Sequence, residues 1–440
     1  MLFHSSVFLL IFLPTVFCLF FLANKFTKID SKVILILSGL IFYGWWNIYL
    51  APLIIISILF NFYLSQHLIK NGTFSKKKIL LLTISLNIIF LIIFKYLDFL
   101  ILNINYIFNT NLDYINLPFP LAMSFITFQT IAYLVDCYDG NIKKNNITEY
   151  SLFIIFFPQL IAGPIVNYNN MIPQFNNLKN RLINKQNIFL GLIIIFIGFF
   201  KKVIIADNLA LIVDDGFLNH SDIDFYVAWL TSLSFTFQIY FDFSGYIDMA
   251  TGSALLFNIK LPKNFDSPFK STNMINFWQR WHITLSNFLM NYIYFPWLKY
   301  LKKITFIKSM IVTFFVFIIA GIWHGPSWLY VIFGSLHGIG LIINHTFNRY
   351  FNFSLNRYFA WFLTFNYVNI TLIFFRSKTI DSSVDIIKGM TGLNTIELNL
   401  LLDKGLFLIL VFLLAVIITF SFKNSNFLVE NYFSSKNKQF

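Results

Sequence analysis

Eleven apolar stretches, each close to twenty residues long, recur along this 440-residue chain. They cover residues 5–23, 33–49, 51–69, 79–96, 121–137, 188–205, 225–242, 305–322, 327–345, 358–375 and 405–422. A helix needs about 20 apolar residues to cross a hydrocarbon core of about 30 Å. The rest of the sequence cannot supply a water-facing surface. Only 12% of residues are Asp, Glu, Lys or Arg, and 58% are apolar. A soluble domain carries about 25% charged residues. The composition therefore speaks against a soluble enzyme, and against a disordered chain, which needs low hydrophobicity. The expected fold is an all-α polytopic membrane protein, with residues 1–440 forming one membrane domain. No glycine- or serine-rich linker and no repeat of 20–50 residues divides it.

The net charge of +13 would suggest nucleic acid in a soluble protein. Here the positions of the basic residues argue otherwise, because Lys and Arg gather in cytoplasmic loops. With the N-terminus outside, the inside segments are 24–32, 70–78, 138–149, 168–187, 258–308, 346–357 and 423–440. They hold 25 of the 32 Lys and Arg residues. The outside loops 97–120 and 206–224 hold none, and 376–404 holds four. The expectation is an N-out, C-in membrane protein, in contact with lipid and not with nucleic acid; in a Gram-negative cell its outside is the periplasm. Lys95, Lys201 and Lys202 fall near span ends, where long side chains snorkel. No Lys or Arg precedes Lys25, so residues 5–23 lack a signal-peptide n-region and read as a retained span. Cys18 and Cys137 offer neither metal spacing nor a disulfide framework.

A charge in hydrocarbon costs about 2.5–3.5 kcal/mol on insertion scales, so polar residues kept in or beside spans are functional candidates. They concentrate in four places. In Phe157-Pro158-Gln159-Leu160-Ile161-Ala162-Gly163-Pro164-Ile165 two prolines and a glycine forbid a continuous helix. Freed backbone at membrane depth must line a cavity or be buried in protein. The alternative is a loop at the membrane edge. The segment 150–166 is read as re-entrant or interfacial, with Gln159 a candidate substrate contact. In Tyr240 to Ala250 two carboxylates, Asp242 and Asp248, stand in an otherwise uncharged run, and Ser244-Gly245 reads as a helix end before a short helix at 245–257. Asp242 is a candidate substrate contact; the plainer reading has both carboxylates satisfying backbone and tyrosine donors.

The third place is Asn276 to Ser286, inside the re-entrant or interfacial segment 277–297. At 3.6 residues per turn, Trp278, His282 and Ser286 would share one helical face, with Arg280 on another. A cationic, aromatic segment suits a membrane interface, which accounts for Arg280 and Trp281 but less well for His282. The fourth is Gly321-Ile322-Trp323-His324-Gly325-Pro326, where His324 ends an apolar helix. A histidine there can be held by the helix dipole, so a capping role stands beside a catalytic one. Gly334 and Gly338 form a small-xxx-small pair for close helix packing. His337 and His345 read as structural. There is no GxxxxGK[ST], GxSxG, HExxH or His-x4-Asp in the chain. Two histidines without cysteines or neighbouring carboxylates make a poor metal site but a reasonable acid–base pair.

Taken in order, these elements resemble the membrane-bound O-acyltransferase (MBOAT) family, in the bacterial branch typified by the alginate O-acetyltransferase membrane subunit. The matching residues are Ser124 to Gln129 with Tyr133 to Asp136, Phe157 to Ile165, Tyr240 to Ala250, Leu261 to Phe265, Phe277 to Ser286, Ile322 to Gly325, and Phe375 to Ser377. The resemblance implies about eleven transmembrane helices plus re-entrant or interfacial helices around a central tunnel. It implies that His324 and His282 are catalytic, with His324 deeper than the outer-side position the span count gives it. Arg280, Trp281, Trp323, Gln159 and Asp242 are the expected substrate-binding residues. One departure stands out: Met290 to Leu298 replaces a run that usually carries an acidic residue and two glycines, and Asn291 takes the carboxylate's place.

The implied reaction is transfer of acetyl from cytoplasmic acetyl-CoA, without a metal, for O-acetylation of a cell-surface polysaccharide, either exopolysaccharide (alginate-like) or peptidoglycan. A periplasmic or other extracytoplasmic O-acetyltransferase is the implied partner. D-alanyl transfer for teichoic-acid modification and a non-enzymatic membrane conduit are the competing readings.

Overall fold

The computed structural model describes residues 1–26, 30–70, 75–351, 355–397 and 405–437. Lys28, Lys404 and Lys438, which enter the loop charge count, lie outside them. The described residues form helices and connecting turns, with no strand among them. Eight helices among them are long and apolar enough to cross a bilayer: Val7–Lys25, Ile48–Ile69, Lys76–Lys95, Lys185–Leu218, Phe306–His324, Trp328–Tyr350, Arg357–Arg376 and Leu406–Asn431. The other three expected spans also fall on helices, Ser31–Gly44, Met123–Tyr138 and Phe225–Leu256. The first two are short, and the third is rich in polar residues. The chain is a multi-pass membrane protein. Two segments read as outside loops carry helices of their own, Leu97–Phe108 and Ile380–Met390.

The chain divides into two compact units. The first comprises residues 1–196 and 247–262. Helix α1 (Ser31–Gly44) packs on α2 (Ile147–Ile155), and a Cβ on Gly39 would lie 2.0 Å from the Ile155 carbonyl oxygen. The chain then leaves the helix at Phe156 (φ −56°, ψ 107°) and makes a single turn, α3 (Phe157–Leu160). Pro158 sits in that first turn, where no backbone donor is missed. Residues 152–157, Gln159 and Leu160 are each at most 1% exposed, and Pro158 is buried. The backbone freed by the proline-glycine segment is therefore buried in protein and does not form a membrane-edge loop. Phe157 anchors it among Phe8, Phe12, Phe42 and Phe257.

The second unit comprises residues 197–246 and 263–440. Helix α4 (Phe225–Leu256) starts here and ends in the first unit. Asp224 caps it, accepting from the backbone N–H of Tyr226 at 2.8 Å. The same carboxylate accepts the Glu397 N–H at 2.7 Å. The expected helix end at Ser244-Gly245 is absent: α4 runs through both residues. Gly245 is used for close approach instead, because a Cβ there would meet the Gly198 carbonyl oxygen at 2.8 Å. The π-helical turn Phe200–Ala206 holds Lys201 and Lys202. Neither snorkels free. Lys201 is buried and donates to Ser425 Oγ at 3.2 Å, and Lys202 pairs with Asp207 at 2.7 Å and Asp242 at 2.6 Å.

The segment expected to place Trp278, His282 and Ser286 on one face is broken. It forms α5 (Met274–Trp278) and α6 (Ile283–Leu289), separated by a turn. Helices α7 (Phe306–His324) and α8 (Trp328–Tyr350) are capped by Thr305 and Ser327, whose side chains accept from Lys308 N and Leu329 N. They cross where small residues allow it. A Cβ on Gly334 would come within 2.3 Å of the Phe317 carbonyl oxygen, and one on Gly321 within 2.2 Å of the Tyr330 carbonyl oxygen. Helix α9 (Arg357–Arg376) follows, and its Asn369 donates to Ser232 Oγ and accepts from Thr236 Oγ1 of α4, each at 2.6 Å.

Candidate active site

The site begins with a backbone feature. His282 occupies the left-handed region (φ 44°, ψ 53°) immediately before α6. Such a conformation costs a residue with a Cβ about 1–2 kcal/mol and persists only where surrounding contacts hold it. Those contacts come from the loop containing Asn264, which is fully buried. The Asn264 carbonyl accepts the Ile283 N–H at 3.0 Å. Its side-chain Oδ1 accepts from Thr284 N at 3.1 Å and Thr284 Oγ1 at 2.9 Å, and lies 3.2 Å from His282 Nδ1. His282 cannot cap its own helix, and Asn264 satisfies the first orphan donors in its place. The arrangement leaves Asn264 Nδ2 buried with no hydrogen-bond partner among the described residues, worth about 1–3 kcal/mol of lost solvation.

The His282 ring is 2% exposed and stands edge-on to Phe243 of α4, 4.9 Å between centroids. Burial, and secondarily the proximity of His324, lowers its pKa to about 3, so the ring is neutral. Trp323 lies on another side, 6.3 Å from the His282 ring and 4.9 Å from that of His324. The last residue of α7 is His324, which is half-buried against Tyr330, Phe333 and Phe375 at 6.4, 5.9 and 5.1 Å. Gly325 leaves the helix extended, and Pro326 prevents its continuation. Two imidazoles thus stand against one buried indole in a single unit.

The other expected residues are distributed unevenly. Trp281 is buried among Tyr240, Phe265, Phe269 and Phe277, and stacks on Phe277 at 5.8 Å and 14°. Arg280 is tied to the Asn264 loop in both directions: its carbonyl accepts Asp266 N at 2.9 Å, and its Nη1 donates to the Asp266 carbonyl at 3.3 Å. Burial, and then the charge of nearby Arg280, lowers the pKa of Lys270. Among the described residues Asp242 takes no backbone or tyrosine donor; its half-exposed carboxylate is held by Lys202. Gln159 belongs to the first unit, where its Nε2 donates to the Phe153 carbonyl at 2.6 Å. His337 sits between donors and acceptors of the fold, taking the Trp278 Nε1–H at 3.3 Å with Thr371 Oγ1 at 3.0 Å from its other nitrogen. That is the structural role read for it from the sequence.

Sequence reasoning missed Asn264, Phe243 and Phe375 as neighbours of the histidines. Asn264 left one signal, a carboxamide between Lys263 and Phe265 in the Leu261 to Phe265 element. Nothing in the spacing connects it to a histidine eighteen residues later.

Comparison with known proteins places this geometry in context. The sequence model described as "MBOAT, membrane-bound O-acyltransferase family" matches residues 140–380. A protein of Helicobacter pylori named "Peptidoglycan O-acetyltransferase" is 41% identical, across 90% of this chain and 81% of its own length. One from Pseudomonas putida named "Probable alginate O-acetylase AlgI" is 33% identical, across 86% of this chain and 78% of its own. A Bacillus subtilis protein named "Teichoic acid D-alanyltransferase" is 28% identical, across 56% of this chain and 62% of its own.

Proposed function

Because the chain belongs to the membrane-bound O-acyltransferase family, we propose that it moves acetyl groups from cytoplasmic acetyl-CoA across the membrane for O-acetylation of a cell-surface polymer. Peptidoglycan is the acceptor most favoured by similarity, ahead of an alginate-like exopolysaccharide. The observation that carries the reading is that the His282 and His324 rings both stand against Trp323. His324 takes the proton of the acceptor hydroxyl as its oxygen attacks the thioester carbonyl. The carbon–oxygen bond forms, the carbon–sulfur bond breaks, and the proton passes to the departing thiolate. A positioned base of this kind contributes about 10²–10⁴-fold. His282 positions the donor or assists the proton transfer.

Arg280 and Lys270, close enough for one to depress the other's pKa, supply positive charge for the donor's phosphates. Trp323 and Trp281 shape the site from buried positions. Asp242, held by Lys202 but half open, is a further substrate contact of this unit, and Gln159, through its buried Oε1, is one of the first unit. The clustering of Lys and Arg supports an N-out, C-in orientation in the inner membrane, with a separate extracytoplasmic transferase receiving the acetyl group. D-alanyl transfer has weaker support, since that relative is less similar over a shorter stretch.

Inside-out membrane vesicles that retain the extracytoplasmic transferase, with a soluble peptidoglycan fragment trapped inside and acetyl-CoA labelled in the acetyl group added outside, test the reading. Label in alkali-labile ester, lost in His324→Ala, is the expected result. Label that stays in acetyl-CoA with wild-type protein, or ester formation that survives His324→Ala, would overturn it.

A further inference from the structure

The carboxamide of Asn264 can face His282 in only one way. Its Oδ1 accepts the backbone N–H of Thr284, and a backbone nitrogen in a helix is always a donor. An amide nitrogen at that position would put two donors face to face, so the atom shared by Thr284 and His282 is the oxygen. The oxygen carries no hydrogen, so the His282 Nδ1 lying 3.2 Å away must itself carry the proton. In a neutral imidazole the other nitrogen, Nε2, then holds the lone pair. Charge does not disturb this: His282 is buried and neutral. The geometry is also maintained against opposing terms, since His282 stays at positive φ and Asn264 Nδ2 goes without a hydrogen-bond partner among the described residues.

We infer that Asn264 is a positioning residue for the acyl transfer, holding His282 as the Nδ1–H tautomer so that Nε2 meets the reactants as a hydrogen-bond acceptor. This rests on the acetyl-transfer reading and narrows it. A lone pair at Nε2 can take or orient the proton of an acceptor hydroxyl. It cannot donate to the oxygen of the thioester carbonyl, so His282 serves the hydroxyl and not the oxyanion.

The tautomer is read directly in ¹⁵N spectra of histidine-labelled full-length protein in detergent, with the His282 signals identified by their loss in His282→Gln. This measurement needs neither donor nor acceptor. Wild-type protein is expected to show Nδ1 protonated and Nε2 bare. Asn264→Ala releases that preference, and Asn264→Asp, which keeps an acceptor oxygen, retains it. In the acetyl-transfer assay Asn264→Ala lowers kcat on the order of 10²-fold with donor KM unchanged, and Asn264→Asp recovers part of the loss. A wild-type His282 protonated on Nε2, or a folded Asn264→Ala protein with an unchanged tautomer, overturns the inference; helix capping alone would lower thermal stability and leave the tautomer as it is. If Asn264→Ala does not fold, the wild-type spectrum decides. The expected tautomer in a protein that transfers no acetyl from acetyl-CoA would sink the acetyl-transfer reading and leave the Asn264 assignment standing.

Discussion

Gly334→Ala should separate helix stability from site geometry. Helix propensity alone favours alanine by about 1 kcal/mol. The crossing with α7 opposes it. The new Cβ would lie 2.3 Å from the Phe317 carbonyl oxygen and 3.1 Å from the Gly321 Cα. Both are backbone atoms, so no rotamer change relieves the contact. A carbon–oxygen contact is comfortable from about 3.3 Å, so the helices must part by about 1 Å at this point. Overpacking of this kind costs about 1–3 kcal/mol. After the propensity gain, a net loss of about 0–2 kcal/mol remains.

The effect on turnover should be larger in relative terms. Gly321 lies one turn before His324 on α7, so displacement at the crossing reaches Trp323 and His324. A full 1 Å misplacement of a reacting group costs about 10²-fold, so a partial one should cost roughly tenfold or more. Gly44→Ala is the control: its nearest neighbour is the Ala51 Cβ, at 3.8 Å. Thermal unfolding in detergent and the ester-forming assay check both variants. Gly334→Ala with wild-type stability and turnover, or Gly44→Ala with equal damage, would refute the reasoning.

His324→Ala should reduce turnover by about 10²–10⁴-fold at unchanged membrane abundance, measured as ester formation per mole of protein. Asp224→Ala removes the cap of α4 and the partner of the Glu397 N–H; it should cost about 1–2 kcal/mol in thermal unfolding, and Asp224→Asn should cost less. The pKa of His282 falls from 6.5 to about 3 on folding. Between those values the unfolded chain holds a proton that the folded one does not, so stability falls on acidification through that window, by up to about 1.4 kcal/mol per pH unit. Unfolding temperatures between pH 7 and pH 5 should drop less for His282→Gln than for wild type, and equal drops would contradict this.

Length and hydropathy made the membrane architecture legible, because a bilayer imposes a fixed crossing distance on every span. The backbone break around Pro158 and Gly163 was equally legible, because proline lacks a donor wherever it stands. Ser244-Gly245 misled for the opposite reason. Glycine can end a helix or admit a neighbour, and only the Gly198 carbonyl 2.8 Å from its virtual Cβ chooses between them. The face shared by Trp278, His282 and Ser286 dissolved because periodicity assumes helical φ, and His282 has φ 44°. Lys202 found Asp242, and Asn264 found His282, through tertiary packing that no local spacing encodes. The sequence singled out the two histidines; the structure shows the groups that pack against them.

Alkali-labile acetate in purified peptidoglycan and in surface polysaccharide tests the central claim most directly, compared between wild-type cells, a deletion, and the deletion complemented by wild type or by His324→Ala at matched protein level. The account predicts that acetate falls in one fraction on deletion, and that wild type restores it while His324→Ala does not. Unchanged acetate in both fractions, or full restoration by His324→Ala, would contradict it.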